Sequence, residues 1–383
     1  MSAVSQKNQP TQNGGDPIGV IEELGPRFAA RAAEHDATDT FVAENYAELK
    51  ARGLFAAGVP EELGGCGASY SEQCEMLRAL ARYCGSTALA LSMHTHLVAT
   101  IVWRWRRDPQ AVEGLLRRIA SERLVLISTG ASDWLNGSGR AERVDGGWRV
   151  NARKIFGSGV PAGDFLITGA VCDDPETGAT VLHFPLSLKA DGVRVLDTWY
   201  VMGMRATGSH DVAIEDAFVP DTAISGRRPQ GKWHLLMHVA ATNAFPIVYS
   251  VYLGIAEAAR DLAIQRTRER GRSDADVCYL VGEMENELAT ARLARADMVK
   301  TAATADPGAE TTNRIMIGRT LVGRAAIRTV EKAMEVVSGA ALYRNVGLER
   351  LFRDVQGARY HPLQEKAQHR YAGRMALGLD IDG

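Results

Sequence analysis

A chain of 383 residues that is 46% hydrophobic, with 44 Lys and Arg against 46 Asp and Glu, can bury a large core and should divide into two or three units. Its charges are interspersed and nearly balanced, which argues against a nucleic-acid surface or a basic membrane patch. Five scattered cysteines without CxxC or Cys/His spacing point to a reduced, cytoplasmic setting and to no metal site.

The polar opening stretch, residues 1–16, lacks the apolar segment of a signal peptide and reads as a disordered leader. No apolar run reaches the roughly 20 residues of a membrane span. A helical unit, residues 17–122, comes next. Ile21, Leu24, Phe28 and Ala32 give one apolar face to a helix from about Ile18 to His35, and a second helix, Phe41 to Arg52, stops at Gly53. The turn-rich VPEELGGCG then precedes a helical period resuming at Ser71. ALALSMHTHLVATIVWRW is apolar enough for a helix buried on most sides, and its His94 and His96, two residues apart, point to different faces.

From Leu124 the grammar changes. Apolar and polar residues alternate in GWRVNARKIF and DFLITGAV, while TGASD, NGSG and VDGG supply turns, so residues 123–232 read as a β unit ending after VAIEDAFVP. Helical periodicity returns in three blocks, about His234–Arg270, Asp274–Ala303 and Thr311–Val337. Gly339 breaks the last block, and Pro362 separates two shorter helices before the end of a C-terminal unit at 233–383.

An α+β chain with a helical N-terminal domain, a middle β-barrel or sandwich and a C-terminal four-helix bundle resembles the acyl-CoA dehydrogenase family. VPEELGGCG, GGWRVNARKIFGSG, VMGMRATGSHDVAIEDAFVP and LERLFRD stand in that family's order. The resemblance implies FAD and a homotetramer in which a neighbouring subunit completes each flavin site. It places Ser128, Thr129 and Ser132 of ISTGASD, and Phe156, Gly157 and Ser158 of KIFGSG, against the flavin. Read without it, ISTGASD is a polar hairpin turn. Arg268, Arg270, Gly339 and Ala340 fall where a partner would reach the adenosine and pyrophosphate, although RTRERG lacks the family's phenylalanine.

The main departure concerns the catalytic base. A dehydrogenase of this family abstracts an α-proton with a glutamate. The register of RDVQGARYHPLQ puts Tyr360, His361 and Pro362 at one such place, and Asn243–Phe245 occupy the other. Glu365 reads as part of a solvated helical face. The pattern therefore resembles the family's two-component flavin monooxygenases, which use FADH2 from a separate reductase, O2 and a flavin C4a-hydroperoxide to hydroxylate a small aromatic or heteroaromatic substrate. Ser158 and His361 look like that branch's catalytic serine and histidine, His96, or His94, is similar to its further pocket histidine, and His94, Trp134, Phe245 and Tyr360 are candidate substrate contacts beside an equally plain core-packing reading. The alternatives are an acyl-CoA or acyl-carrier-protein dehydrogenase with an atypical base and a catalytically silent, flavin-binding paralogue.

Overall fold

The computed structural model describes residues 16–130 and 133–383. The predicted leader therefore lies, except for Asp16, outside the described residues, as does Ser132. Five helices come first: α1 Pro17–Thr38, α2 Ala43–Ala51, α3 Tyr70–Tyr83, α4 Gly85–Trp105 and α5 Pro109–Glu122. Their ends follow from local chemistry. The Asp16 carboxylate accepts the Ile18 N–H at 3.0 Å ahead of Pro17, and Ser69 with Glu72 closes a reciprocal capping box on α3. Ile21, Leu24 and Phe28 are buried on the face that the sequence periodicity marks.

The middle of the chain forms one hydrogen-bonded sheet, strand order β6-β7-β3-β2-β4-β5-β8, with β1 parallel to β4. The strands are β1 Leu126–Ser128, β2 Arg140–Val144, β3 Gly147–Lys154, β4 Phe165–Asp174, β5 Gly178–Ser187, β6 Val193–Val195, β7 Val212–Pro220 and β8 Gly226–Pro229. Alternation identifies β3, β4 and β7 in the sequence but misses β5. Pro185 explains the omission: it sits inside β5 beyond the Thr180–His183 segment paired to β8, where the outer edge needs no N–H donor.

Three long helices follow, α6 Leu235–Glu269, α7 Ala275–Thr304 and α8 Ala309–Val337, then α9 Leu348–Val355 and α10 Glu365–Ala376. By length and composition α6 could cross a membrane, which corrects the expectation that no run is long enough; 94% of its most apolar window is buried inside the protein. It is the core helix of the bundle, packed against α3, α4, α7, α8 and α9. Pro246 within it has no N–H for the Thr242 carbonyl four residues back. The Tyr70 hydroxyl of α3 sits 3.3 Å from that carbonyl and 2.9 Å from that of Asn243, covering the gap. Glu257, buried on α6, accepts from Arg78 of α3 at 2.6 Å and Arg292 of α7 at 2.9 Å, so its charge is paired on both sides.

Arg353 and Asp354 of the LERLFRD segment join the units. Arg353 pairs with Asp36 of α1 at 2.6 Å and donates to the Met202 carbonyl at 2.9 Å, while Asp354 accepts the Met204 N–H at 2.5 Å. Backbone meets backbone closely at Gly254, where an added Cβ would lie 2.3 Å from the Arg78 carbonyl oxygen. Gly254→Ala is expected to push α6 off α3 and destabilise the protein by about 2 kcal/mol, measured by urea unfolding.

Candidate functional site

Two strand ends meet at the centre of the site. The segment after β1 and the segment after β3 are joined by a hydrogen bond from the Gly130 N–H to the Ile155 carbonyl at 3.4 Å, which brings the ISTG and KIFGSG stretches together. Beneath them Lys154, the last residue of β3, has no solvent exposure. Its ammonium donates to Asp133 at 2.7 Å, to the Ser138 carbonyl at 2.8 Å and to the Gly169 carbonyl at 2.6 Å. Burial lowers its pKa and the Asp133 carboxylate opposes that shift. Asp133 also accepts from the hydroxyls of Thr129 and Ser138. The loop of residues 133–138 is held from its other side by Arg228, which is buried and donates to the Trp134 and Leu135 carbonyls, each at 2.5 Å. None of Lys154, Asp133 and Arg228 stands out by motif or periodicity in the sequence. Their signal was present only as a lysine inside an apolar strand and an aspartate inside a turn.

The KIFGSG stretch leaves the sheet through a tight turn. Phe156 has φ 59°, its carbonyl accepts the Ser158 N–H at 3.0 Å, and its ring is 44% exposed with the Trp199 ring edge-on at 5.9 Å. Ser158 itself is buried. Its hydroxyl is 2.8 Å from that of Ser209, which is 2.6 Å from that of Thr207, whose hydroxyl donates to the Met204 carbonyl at 2.9 Å.

The three predicted histidines have different surroundings. His94 is 2% exposed; its Nε2 meets the Phe55 carbonyl at 2.7 Å and its Nδ1 accepts the Leu126 N–H at 3.0 Å. Both ring nitrogens are therefore engaged between α4, the Phe55 turn and β1, and the substrate-wall placement expected for His94 is corrected to a core crosslink. Burial pushes its pKa down to about 4. His96, on another face of α4, reaches the Ser128 hydroxyl at 3.1 Å, and burial likewise depresses it to about 4. His361 is held by Tyr252, whose hydroxyl lies 2.6 Å from Nε2. Nδ1 has no hydrogen-bond partner among the described residues. Burial first, then the Arg319 guanidinium and His96, push the His361 pKa down to about 3, so its imidazole is neutral at ordinary pH.

Around His361 an aromatic wall assembles. Trp134 and Phe245 lie 5.6 Å apart between ring centroids, Phe245 and Tyr249 6.4 Å, Tyr249 and His361 6.0 Å, and Tyr252 and His361 5.4 Å. The structure thus gathers Trp134, Phe245 and His361 from three distant parts of the chain, and adds Tyr249, Tyr252 and Arg319, which sequence reading passes over as bundle core. Gly357 makes room here: an added Cβ would lie 2.7 Å from the Tyr252 hydroxyl oxygen. Arg319 is buried without a carboxylate partner among the described residues, donates to the His361 carbonyl at 3.0 Å and lies 5.3 Å from the Tyr249 ring centre.

Other candidates lie elsewhere. Tyr360 is 64% exposed and makes no ring contact with this wall among the described residues, which corrects its expected place there. Arg270 reaches the Val337 carbonyl at 3.4 Å beside the Ser338–Leu342 turn that carries Gly339 and Ala340, and Arg268 is exposed on the same helix end. That end is roughly 35 Å along α6 from Phe245 by helix rise. Glu365 pairs with Arg324 on the surface. A separate cavity of about 190 Å³ between α1, α6 and α9, walled in part by Asp36, Arg82, Cys84 and Arg350, contains none of the candidates.

A flavin ring needs a flat apolar wall, hydrogen-bonding groups along its edge and a sheltered face. The half-exposed Phe156 ring, the Ser128 and Ser158 hydroxyls and the buried, unpartnered indole N–H of Trp134 fit those needs.

Residues 22–122 match the model of the acyl-CoA dehydrogenase N-terminal domain and residues 247–365 that of the acyl-CoA dehydrogenase C-terminal domain, together more than half of the chain. The chain is 29% identical to the putative acyl-CoA dehydrogenase YdbM of Bacillus subtilis, over 91% of its own length and 93% of the relative's. It is also 29% identical to the L-evernosamine nitrososynthase of a Micromonospora species, over 97% and 92% of the two chains. Dibenzothiophene monooxygenase of Mycolicibacterium goodii is 27% identical over 94% and 92%. Among solved structures, KijD3 in complex with FMN and a dTDP-linked 3-amino sugar superposes with a TM-score of 0.89 at 28% identity, covering 98% of this chain and 96% of that one. The chain is thus related to flavin-dependent monooxygenases and nitrososynthases, and is a flavin-dependent oxidoreductase.

Two stability predictions follow from this geometry. Asp133→Ala leaves the fully buried Lys154 without its carboxylate and is expected to cost about 3 kcal/mol in urea unfolding, with Asp133→Asn costing less. His94 is neutral in the fold with its pKa near 4 against 6.5 when free, so the unfolded chain takes up a proton that the fold refuses. Its contribution is complete above pH 6.5 and is lost as pH falls toward 4, about 3 kcal/mol at pH 4; because His96, His183 and His361 titrate in the same range, the pH 7 to pH 4 loss of wild type minus that of His94→Gln in urea unfolding measures it.

Proposed function

The chain belongs to the acyl-CoA dehydrogenase family, and on that premise we propose that it is an FAD-dependent monooxygenase rather than a dehydrogenase. The observation that carries this reading is the absence of a carboxylate at the family's two base positions, which the register gives to Tyr360, His361 and Pro362 and to Asn243–Phe245. Of these, His361 and Phe245 lie in the aromatic wall, while Glu365 is tied to Arg324 on the surface. A neutral histidine bonded to a tyrosine is a weak instrument for removing an α-proton and a suitable one for handling a proton at a hydroxyl or a ring.

The proposed substrate is a small aromatic or heteroaromatic molecule lying against Trp134, Phe245 and Tyr249. Reduced flavin, when bound, supplies the two electrons that let O2 place one oxygen atom on the substrate and release the other as water. The chain's own residues do the rest. Phe156 and the Ser128–His96 pair shape the flavin pocket, Ser158 holds the ring edge, and Tyr252 engages His361 Nε2 so that Nδ1 exchanges the substrate's proton. Kinship with dibenzothiophene monooxygenase supports the aromatic class. Similarity to an amino-sugar nitrososynthase over nearly the whole chain favours a second reading, oxidation at an amine nitrogen.

FAD is proposed over FMN because Arg268, Arg270, Gly339 and Ala340 would serve the adenosine and pyrophosphate of a flavin held by a neighbouring subunit. This requires an oligomer, taken here as a homotetramer. A separate reductase would supply FADH2, and the setting would be cytoplasmic.

With NADH and FAD alone the protein is expected to give no product, and adding a flavin reductase should give product labelled from 18O2. His361→Ala is expected to lower label incorporation about a hundredfold while flavin affinity changes less than about twofold. Equal incorporation by the variant would remove His361 from the chemistry, and bleaching of oxidised flavin by acyl-CoA thioesters would instead establish a dehydrogenase. Arg270→Ala should weaken FAD binding about tenfold and leave FMN binding unchanged, read by fluorescence titration of both flavins.

A further inference from the structure

We infer that Thr207 and Ser209 form a hydroxyl relay that fixes the polarity of Ser158, so that its side-chain oxygen offers only lone pairs to a flavin beside it. The inference rests on the flavin site proposed above and adds two positioning residues to it. Each hydroxyl carries one proton. The Met204 carbonyl can only accept, and with Thr207 Oγ1 at 2.9 Å the Thr207 proton must point at it, since the reverse would set lone pair against lone pair. The same carbonyl accepts the Thr207 N–H at 3.1 Å and the Trp199 indole at 3.2 Å, and the hydroxyl contact is the shortest of the three. With its proton committed, Thr207 accepts from Ser209 at 2.6 Å, and Ser209 in turn accepts from Ser158 at 2.8 Å. Thr207, Ser209 and Ser158 are 0%, 2% and 7% exposed, which leaves little water to offer a different arrangement. The Ser158 N–H is also taken, by the Phe156 carbonyl. Both protons of Ser158 thus point away from any ligand, and its free lone pairs remain.

The consequence is selectivity for one redox state. Flavin N5 carries no hydrogen when oxidised and presents its own lone pair, whereas reduced flavin presents an N–H. A serine oxygen locked as an acceptor accepts from the reduced ring and opposes the oxidised one. Thr207 and Ser209 therefore bias the site toward the form that a reductase would deliver.

The test is to measure dissociation constants of the full-length protein for oxidised FAD and, anaerobically, for FADH2. Wild type is expected to bind FADH2 more tightly. Ser209→Ala and Thr207→Val each free a proton so that Ser158 can rotate and donate. Each should shrink the preference about fivefold, the worth of one ordinary hydrogen bond, and lower the midpoint potential of bound flavin by about 20 mV for the two-electron couple. Ser209→Thr keeps the relay and should restore both values. If one variant fails to fold by thermal melting, the other reports the same change. An unchanged preference in variants that bind both forms overturns the relay. Failure of wild type to bind either form overturns the flavin site and the relay with it.

Discussion

One whole side of the candidate site hangs on one buried cation. Lys154 closes β3 with its ammonium wholly out of water, a state tolerable only because Asp133 and two carbonyls surround it. Satisfying that charge requires the loop after β1 to fold back over β3, and this return sets Thr129, Asp133 and Trp134 where they stand. Arg228 fastens the same loop from the opposite side through neutral acceptors alone, and its pKa falls to about 10 as a result of burial. The side of the site that carries Thr129 and Trp134 is thus built on a buried electrostatic anchor.

The histidines show how surroundings divide one residue type into separate tasks. His94 and His96 are two residues apart on α4, yet one is fixed by two backbone groups and the other faces a serine hydroxyl at the strand end. His361 arrives from the far end of the chain and meets a tyrosine from α6. All three are depressed by burial, so none is a charge switch near neutrality. Any proton they move travels through hydrogen bonds, and a chain of neutral donors and acceptors carries direction as well as connection.

Much of this architecture is legible in the sequence because it rests on local periodicity. The long helices, the strands β3, β4 and β7 and the glycine-marked boundaries are each written in residues a few positions apart. Trp134, Phe245 and His361 can be named from their motifs, but not that α6 would set Tyr249 and Tyr252 between them, since an apolar helix reads the same whichever neighbour it meets. Lys154 and Asp133 are separated by 21 positions, and only the fold reveals that they pair. Tyr360 and His94 mark the converse limit. A residue beside a functional one in sequence, or of the right chemical type, can be turned to solvent or locked in the core by contacts that no motif records.

The continuity of α6 constrains how such a chain can vary. Along a single rod it carries Phe245, Tyr249 and Tyr252 at the wall, Gly254 and Glu257 against neighbouring helices, and Arg268 and Arg270 at its far end. Each added or removed residue would rotate everything beyond it by about 100°. An indel between Phe245 and Glu257 would therefore break wall, contact and ion pair together. Length changes across descendants of this sequence should gather instead in turns such as residues 305–308, leaving α6 as a ruler of fixed length.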